Sequence, residues 1–461
     1  MRSKIIYGLA LVAAAVILAG PPIFTCLFPQ PTHYASEVEH FKYGSVGVEA
    51  ASGVPYEVWR TLPSVCMNPA QAAAGYHAFG FQWEPGRATP IGMPVERAIV
   101  PRVGVNCAMC HVGRVETPSG PRLLIGAPNT TLDLQAYLRF LFGCASSKAF
   151  NADAILAENR RLGGKLNPIE QALYRAVIIP QVQSELLKQK RQLAFMDQQP
   201  DWGPGRSAGF QPAKVQILKT PFDGTLDIVD IPPLWNMRMK EGGGLHWDGV
   251  NTSIDEVFLN SAIGNGATGS TVNRANVERM ERWVHDLPPA AYPWPVDRSL
   301  AAAGKGVFAG SCAQCHAPGA AKLNQVVPIG WTGTDRNRLD AFTADARDGF
   351  LGSRAQPWRY THFRKTDGYV AGPLDGIWAR APYLHNGSVP TLAALLQPPA
   401  DRPVVFRRGS TRYDTDAVGF SSDQGRTFDT RLPGNSNAGH TWGVGLPDCD
   451  RRALLEYLKT L

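Results

Sequence analysis

Cys107-Ala-Met-Cys110-His111 and Cys312-Ala-Gln-Cys315-His316 decide the reading of this chain. Each is a Cys-x-x-Cys-His pentapeptide, the attachment signature of a c-type haem. The two thiols add across the porphyrin vinyl groups, and the adjacent imidazole is held beneath the iron as its proximal ligand. A redox dithiol or half of a zinc site is the bland alternative for either copy alone, but two copies support one another. The sequence is therefore read as carrying two covalently bound haem c groups. One is held by Cys107, Cys110 and His111, the other by Cys312, Cys315 and His316.

At 461 residues the chain is long enough for two or three domains, each with its own core. A composition 44% hydrophobic and 18% charged suits a globular protein and argues against disorder. The 46 Gly and 37 Pro point to a loop-rich fold of short helices, the kind that wraps a large flat cofactor. A net charge of +7 without long like-charge runs reads as a solvated surface, with no sign of nucleic-acid binding.

Met1-Arg-Ser-Lys4 is basic, and the stretch from Ile5 to Phe28 is almost uncharged and apolar, broken at Pro21-Pro22. Residues 1–28 are read as a secretory signal or, preferably, an uncleaved N-terminal membrane anchor. The rest of the chain is then expected in the periplasm, because covalent haem attachment in bacteria is extracytoplasmic. In an oxidising compartment Cys66, Cys144 and Cys449 could supply one disulfide. The sequence does not choose the pair, and buried free thiols are the alternative.

Leu132 to Phe142 has helical periodicity, Pro168 to Met196 reads as one or two long polar helices, and Asn273 to Leu287 as another. The proline-rich stretch Leu287 to Pro295 is the domain boundary, giving an N-terminal domain over 29–290 and a C-terminal one over 296–461. The second domain closes with a helix from Asp448 to Leu458, Asp448 being its expected N-cap. Strand signals are few, so the fold class is mainly α.

Further motifs carry a resemblance. Arg380-Ala-Pro-Tyr-Leu-His-Asn-Gly-Ser-Val-Pro-Thr-Leu392, Pro232-Pro-Leu-Trp-Asn236 and His246-Trp-Asp-Gly249, with the two haem motifs, resemble the bacterial dihaem cytochrome c peroxidase superfamily. His40-Phe-Lys-Tyr-Gly-Ser45, Trp331-Thr-Gly-Thr-Asp335 with Arg338-Leu339, and Gly434-Asn-Ser-Asn-Ala-Gly-His440 bring the chain closest to its rubber-oxygenase-like branch. The resemblance runs from about residue 38 to the end. It implies two c-type cytochrome domains facing each other, with oxidant reacting at the N-terminal haem and electrons moving through the C-terminal one. Trp247 matches the tryptophan that lies between the haems and assists electron transfer.

The sixth iron ligand decides whether a haem reacts or only carries electrons. Where the typical peroxidase has a distal histidine on the first haem, this chain has Ala127, so that haem is expected to be open unless His77 or His246 is brought in. Where the peroxidase supplies a methionine to the second haem, the stretch from Leu395 to Pro399 has none. His440 is the replacement implied by the rubber oxygenases, and His385 is expected to support the pocket by hydrogen bonding. The distal glutamine and glutamate of the peroxidases fall here on Val257 and Ala267, with Asp255 and Glu256 nearby. A pocket without that acid is poorly equipped for peroxide heterolysis and better suited to dioxygen. The resemblance also implies a Ca²⁺ ion between the domains, held by Asp230 and the carbonyls of Arg380 and Pro382.

These readings converge on an extracytoplasmic haem-dependent oxidoreductase that activates O₂ or H₂O₂ at the His111 haem, with Trp247 and His246 in catalytic roles. The alternatives are a cytochrome c peroxidase proper and a non-catalytic dihaem electron carrier. The expected partners are the small oxidant, a small redox-protein electron donor, and the membrane through the N-terminal segment.

Overall fold

The structure, a computed structural model, describes residues 32–97, 100–353 and 357–461. The expected anchor over 1–28 lies outside the described residues, and among these no helix is long and apolar enough to cross a membrane.

Several of the longer helices stand where periodicity places them, while Arg298–Ser311, with 14 residues, lies outside those stretches. Leu134–Ser146 starts on Asp133, whose side chain accepts from the Ala136 amide. Arg274–His285 starts in the same way on Asn273. Short polar side chains at this position satisfy amides that the first turn leaves unpaired. The polar stretch from Pro168 is a run of Pro168–Leu173, a π-helical turn Tyr174–Ile178, and Ile179–Gln192. The last helix spans Asp448–Leu458, but Pro447 precedes it and no side chain caps it. Asp448 instead pairs with Arg451 one turn on.

The mainly α expectation is corrected. Among the described residues the helices alternate with thirteen strands, paired antiparallel in six two- or three-stranded sheets. Each strand has two to six residues. Runs that short carry too few side chains for a period of two to stand out.

Two segments repeat the same design, with equivalent elements 120 to 140 residues apart. Arg206–Ala208 pairs with Ile228–Asp230, and Val326–Pro328 pairs with Gly368–Val370. Each pair leads through Pro-Leu (233–234 and 373–374) to a residue of positive φ, Asn236 at 45° and Gly376 at 61°. Asn and Gly tolerate that conformation best. A 3₁₀ turn follows, Met237–Lys240 or Ile377–Arg380. Then come an antiparallel bridge (Leu245 to Asn251, Tyr383 to Val389) and a hydroxyl-capped helix starting after Ser253 or Thr391.

The largest core gathers Trp59, Tyr76, Phe81, Tyr137 and Phe142, with Trp59 and Tyr76 stacked at 4.1 Å. A disulfide joins Cys66 to Cys144 in this region, settling the pairing left open by the sequence, while Cys449 is free and exposed. A second core joins Val115, Leu124 and Trp235 to C-terminal residues such as Trp378, Tyr383 and Leu454. The chain before the proline-rich boundary therefore packs into the core after it.

Helices Arg298–Ser311 and Asp448–Leu458 cross at Gly304, where a Cβ would lie 1.9 Å from the Ala453 carbonyl oxygen. Gly306, in the same helix, faces open space. Gly304→Ala should lower stability by at least about 1–3 kcal/mol through overpacking. Gly306→Ala should raise it by about 0.5–1 kcal/mol through helix propensity. Thermal unfolding of the two variants checks this, and equal effects would refute the crossing.

Candidate haem sites

Each pentapeptide forms one tight turn. In the first, Cys107–Met109 is a 3₁₀ turn and the His111 amide donates to the Cys107 carbonyl at 3.1 Å. In the second, Ala313–His316 is helical and the His316 amide donates to the Cys312 carbonyl at 3.1 Å. Both thiols and the imidazole thereby end on the same side of the turn, facing one cavity.

Asn106, fully buried, fixes the first turn. Its Oδ1 accepts from the Ala108 amide at 2.9 Å, and its Nδ2 donates to the carbonyls of Phe41 at 3.1 Å and Gly44 at 2.8 Å. The His40–Ser45 motif is thus a backbone cradle for the attachment turn. Asn129 holds the other side, donating to the Met109 carbonyl at 3.1 Å.

Cys107, Cys110 and His111 line a cavity of about 780 Å³, and Cys312, Cys315 and His316 one of about 330 Å³. The internal repeat supplies each proximal histidine with an orienting carbonyl. His316 Nδ1 lies 2.8 Å from the Gly372 carbonyl. The equivalent Pro232 carbonyl faces His111 Nδ1, which is buried and falls short of hydrogen-bond geometry. Such a bond sets the tautomer that leaves Nε2 free for a metal. Burial pushes His111 down to about 4 and His316 below its ordinary value, so both rings are held neutral.

Pro232, Leu234, Met237, His246, Trp247 and Val257 line both cavities and form the wall between them. Trp247 is anchored on two sides. Its Nε1 donates to the Asp230 carbonyl at 2.8 Å, and its own carbonyl accepts from the Val370 amide at 2.8 Å. The next residue, Asp248, is fully buried and lies 3.1 Å from the Nε of buried Arg338. His246 has φ +62°, and burial together with the Arg338 cation lowers it to about 4. His77 is exposed against Trp83 and lines neither cavity.

His440 stands across the smaller cavity from His316, with ring centroids 6.4 Å apart. Two metal–imidazole bonds of about 2 Å each, with the two ring radii added, give about 6 Å between centroids. The loop is built to hold that position. His440 takes φ +46°, its amide donates to the Thr332 carbonyl at 2.7 Å, and Gly439 lies against Gly333 too closely for any Cβ. Buried Arg402 donates to the carbonyls of Gly439 at 2.8 Å and His440 at 3.1 Å. Among the described residues no second imidazole stands opposite His111 in this way. His385 lies on the smaller cavity, stacked on Tyr369 at 3.9 Å, with its Nε2 2.9 Å from the Tyr369 hydroxyl.

Among the described residues the positions of the peroxidase distal pair place no acid on the larger cavity. Val257 and Ala267 line it, whereas Glu256 does not. Burial raises Glu256, but hydrogen bonds from His362, Thr361 and Asn251 hold it below the usual carboxyl range. Asp255 faces Arg274 at 3.5 Å. The acids on this cavity's lining are Glu185, paired with Lys188, and Asp230.

The calcium expected at Asp230 does not fit, and that reading is corrected. The Asp230 carboxylate is buried and ion-paired with the guanidinium of buried Arg408. Arg408 also donates to the Gly387 carbonyl at 2.6 Å, and Arg206 adds a second cation within electrostatic range. Burial pushes the Asp230 carboxyl up to about 6 against the pull of Arg408. A divalent ion beside these guanidiniums would be repelled. Among the described residues no cluster of three or more His, Cys, Asp or Glu is arranged to hold a metal ion. Neither arginine, nor Arg402, is marked by any sequence motif.

The thiol and imidazole donors, together with the facing His316 and His440, fit c-type haem. Comparison with known proteins agrees in part. A family model described as RoxA-like, cytochrome c-like matches residues 368–407, which contain the second copy of the internal repeat from its second strand onward. The chain is thus related to these cytochromes over a short stretch, and covalently bound haem c is the cofactor that stretch implies. Two uncharacterized proteins of Sinorhizobium fredii (strain NBRC 101917 / NGR234) are also similar. The protein y4iM is 36% identical over 287 residues, covering 50% of this chain and 64% of the relative. The protein y4iJ is 50% identical over 105 residues, covering 20% of this chain and 18% of the relative. The chain spans less than two thirds of the length of either.

Proposed function

We propose that the chain is a periplasmic dihaem c-type oxidoreductase in which the His111 centre reacts with O₂ or H₂O₂ and the His316 centre exchanges electrons with it. The observation that carries this reading is the unequal furnishing of the two cavities: His440 stands opposite His316, and among the described residues no imidazole is in such ring contact with His111. When bound, such a haem supplies an iron that gains or loses one electron and, with an axial position free, binds a small oxidant.

The chain's own residues divide the work. His111 and His316 would each hold one haem iron, and His440 would join His316 in holding the second. Val257, Phe258 and Ala267 give the larger cavity an apolar wall that excludes water. Trp247, on the lining of both cavities and fixed at both its Nε1 and its carbonyl, is the electron relay. An indole suits that role because its π system is easily oxidised and wide enough to reach both sides. His246 holds its ring neutral in the same wall, where it can donate a hydrogen bond to O₂ or accept one from H₂O₂.

The lack of a cavity carboxylate placed for proton transfer favours O₂ over H₂O₂ within this reading. A small redox protein is the proposed electron donor.

Mixing the fully reduced protein with O₂ or H₂O₂ and following both haems tests the proposal. Both should be reoxidised. Trp247→Phe should slow the low-spin centre by about tenfold or more, about 1.4 kcal/mol on the barrier. The proposal fails if neither oxidant reoxidises the wild type.

A further inference from the structure

Two cations meet on the wall of the smaller cavity with no carboxylate bound to either. Lys240 and Arg380 both line it. They are equivalent residues of the internal repeat, each the last residue of its 3₁₀ turn. Each leans on the equivalent proline carbonyl: Lys240 Nζ lies 3.4 Å from Pro233 O, and Arg380 donates to Pro373 O at 2.8 Å. Arg380 gives a second donor to the Asp375 carbonyl, and its Nε is buried with no partner. Asp375 is the one acid within electrostatic range of both, and among the described residues neither cation forms an ion pair with it or with any other carboxylate.

Two like charges held together deep in a protein repel each other and lose hydration. Burial and the neighbouring guanidinium push the Lys240 ammonium down to about 8, which shows the strain of the arrangement without deciding its purpose. An anion between the two would relieve it. Most of the remaining cavity surface is apolar, from residues such as Leu234, Val327, Leu392 and Leu454, so an anion there fits best as part of a largely apolar molecule.

We propose that Lys240 and Arg380 form a paired cation clamp for the carboxylates of the porphyrin held by His316. This rests on the dihaem reading. The clamp takes one cation from each copy of the repeat, so the chain preceding the proline-rich boundary contributes directly to the second haem. An ammonium beside a propionate offsets its negative charge, and removing it favours the oxidised, more positive iron. These are positioning residues, and their effect falls on the reduction potential.

The test is a spectroelectrochemical titration of the intact holoprotein, with haem content measured alongside. Lys240→Gln, which keeps a donor for the Pro233 carbonyl without the charge, should retain two haems and lower the potential of the low-spin centre. Lys240→Met should do the same, and Lys240→Arg should stay near wild type. Unchanged potentials in the Gln and Met variants with two haems bound would overturn the clamp. A potential in the Arg variant as low as in the Met variant would also overturn it. A wild type without haem would instead overturn the dihaem reading, and the clamp would fall with it.

Discussion

His440→Ala should convert the second haem from low spin to high spin and raise carbon monoxide uptake by the reduced protein from one molecule per chain to two. His316 and His440 face each other with ring centres 6.4 Å apart, the spacing of two imidazoles sharing one metal between them. His440 Nδ1 is buried without a partner, so the ring has no competing hydrogen bond to turn it away. The backbone is held independently of the side chain, through Arg402, the Thr332 carbonyl and the contact of Gly439 with Gly333. Truncation should therefore open the iron without unravelling the loop. Electron paramagnetic resonance reads the spin state and a carbon monoxide titration reads the vacancy. An unchanged low-spin signal would remove His440 from the iron.

Arg408→Ala should destabilise the fold by about 3 kcal/mol or more, because it strands a buried carboxylate. Asp230 and Arg408 are both almost fully buried, and their link ties the strand Ile228–Asp230 to Gly387 and the strand Val405–Arg408. Arg206 stays within range of Asp230 and keeps the loss near the lower end of the 3–5 kcal/mol seen for broken buried pairs. The double variant Asp230→Asn with Arg408→Met should recover part of the loss, since it removes the stranded charge together with its partner. Denaturant unfolding measures all three. A chelator should leave the wild-type midpoint unchanged, because a guanidinium occupies the place of the metal. A fall in that midpoint on chelation, reversed by Ca²⁺, would contradict the account.

The sequence carried the chemistry further than the architecture. The two pentapeptides were legible because covalent attachment demands fixed spacing, and Trp247 and His440 because each sits in a local motif. Several longer helices were legible from their periodicity, but Arg298–Ser311 was not, and the expected cap at Asp448 does not form. The strands were not, being two to six residues long. The internal repeat was hidden because its copies share a backbone path and few identities. The Pro-Leu pairs at 233–234 and 373–374 agree, as do Gly249 and Gly387, while Asn236 corresponds to Gly376, Lys240 to Arg380 and Trp247 to His385. Positive φ and a 3₁₀ turn leave little trace in one sequence. The calcium reading failed because the residue that replaces the ion, Arg408, is 178 positions from Asp230 and no local pattern links them.

The central claim is that one iron is open and the other closed. Titrating the dithionite-reduced wild-type holoprotein with carbon monoxide, and recording the difference spectrum against total haem, tests it most directly. The account predicts saturation at one carbon monoxide for every two haems. Saturation at none, or at one for each haem, would contradict it.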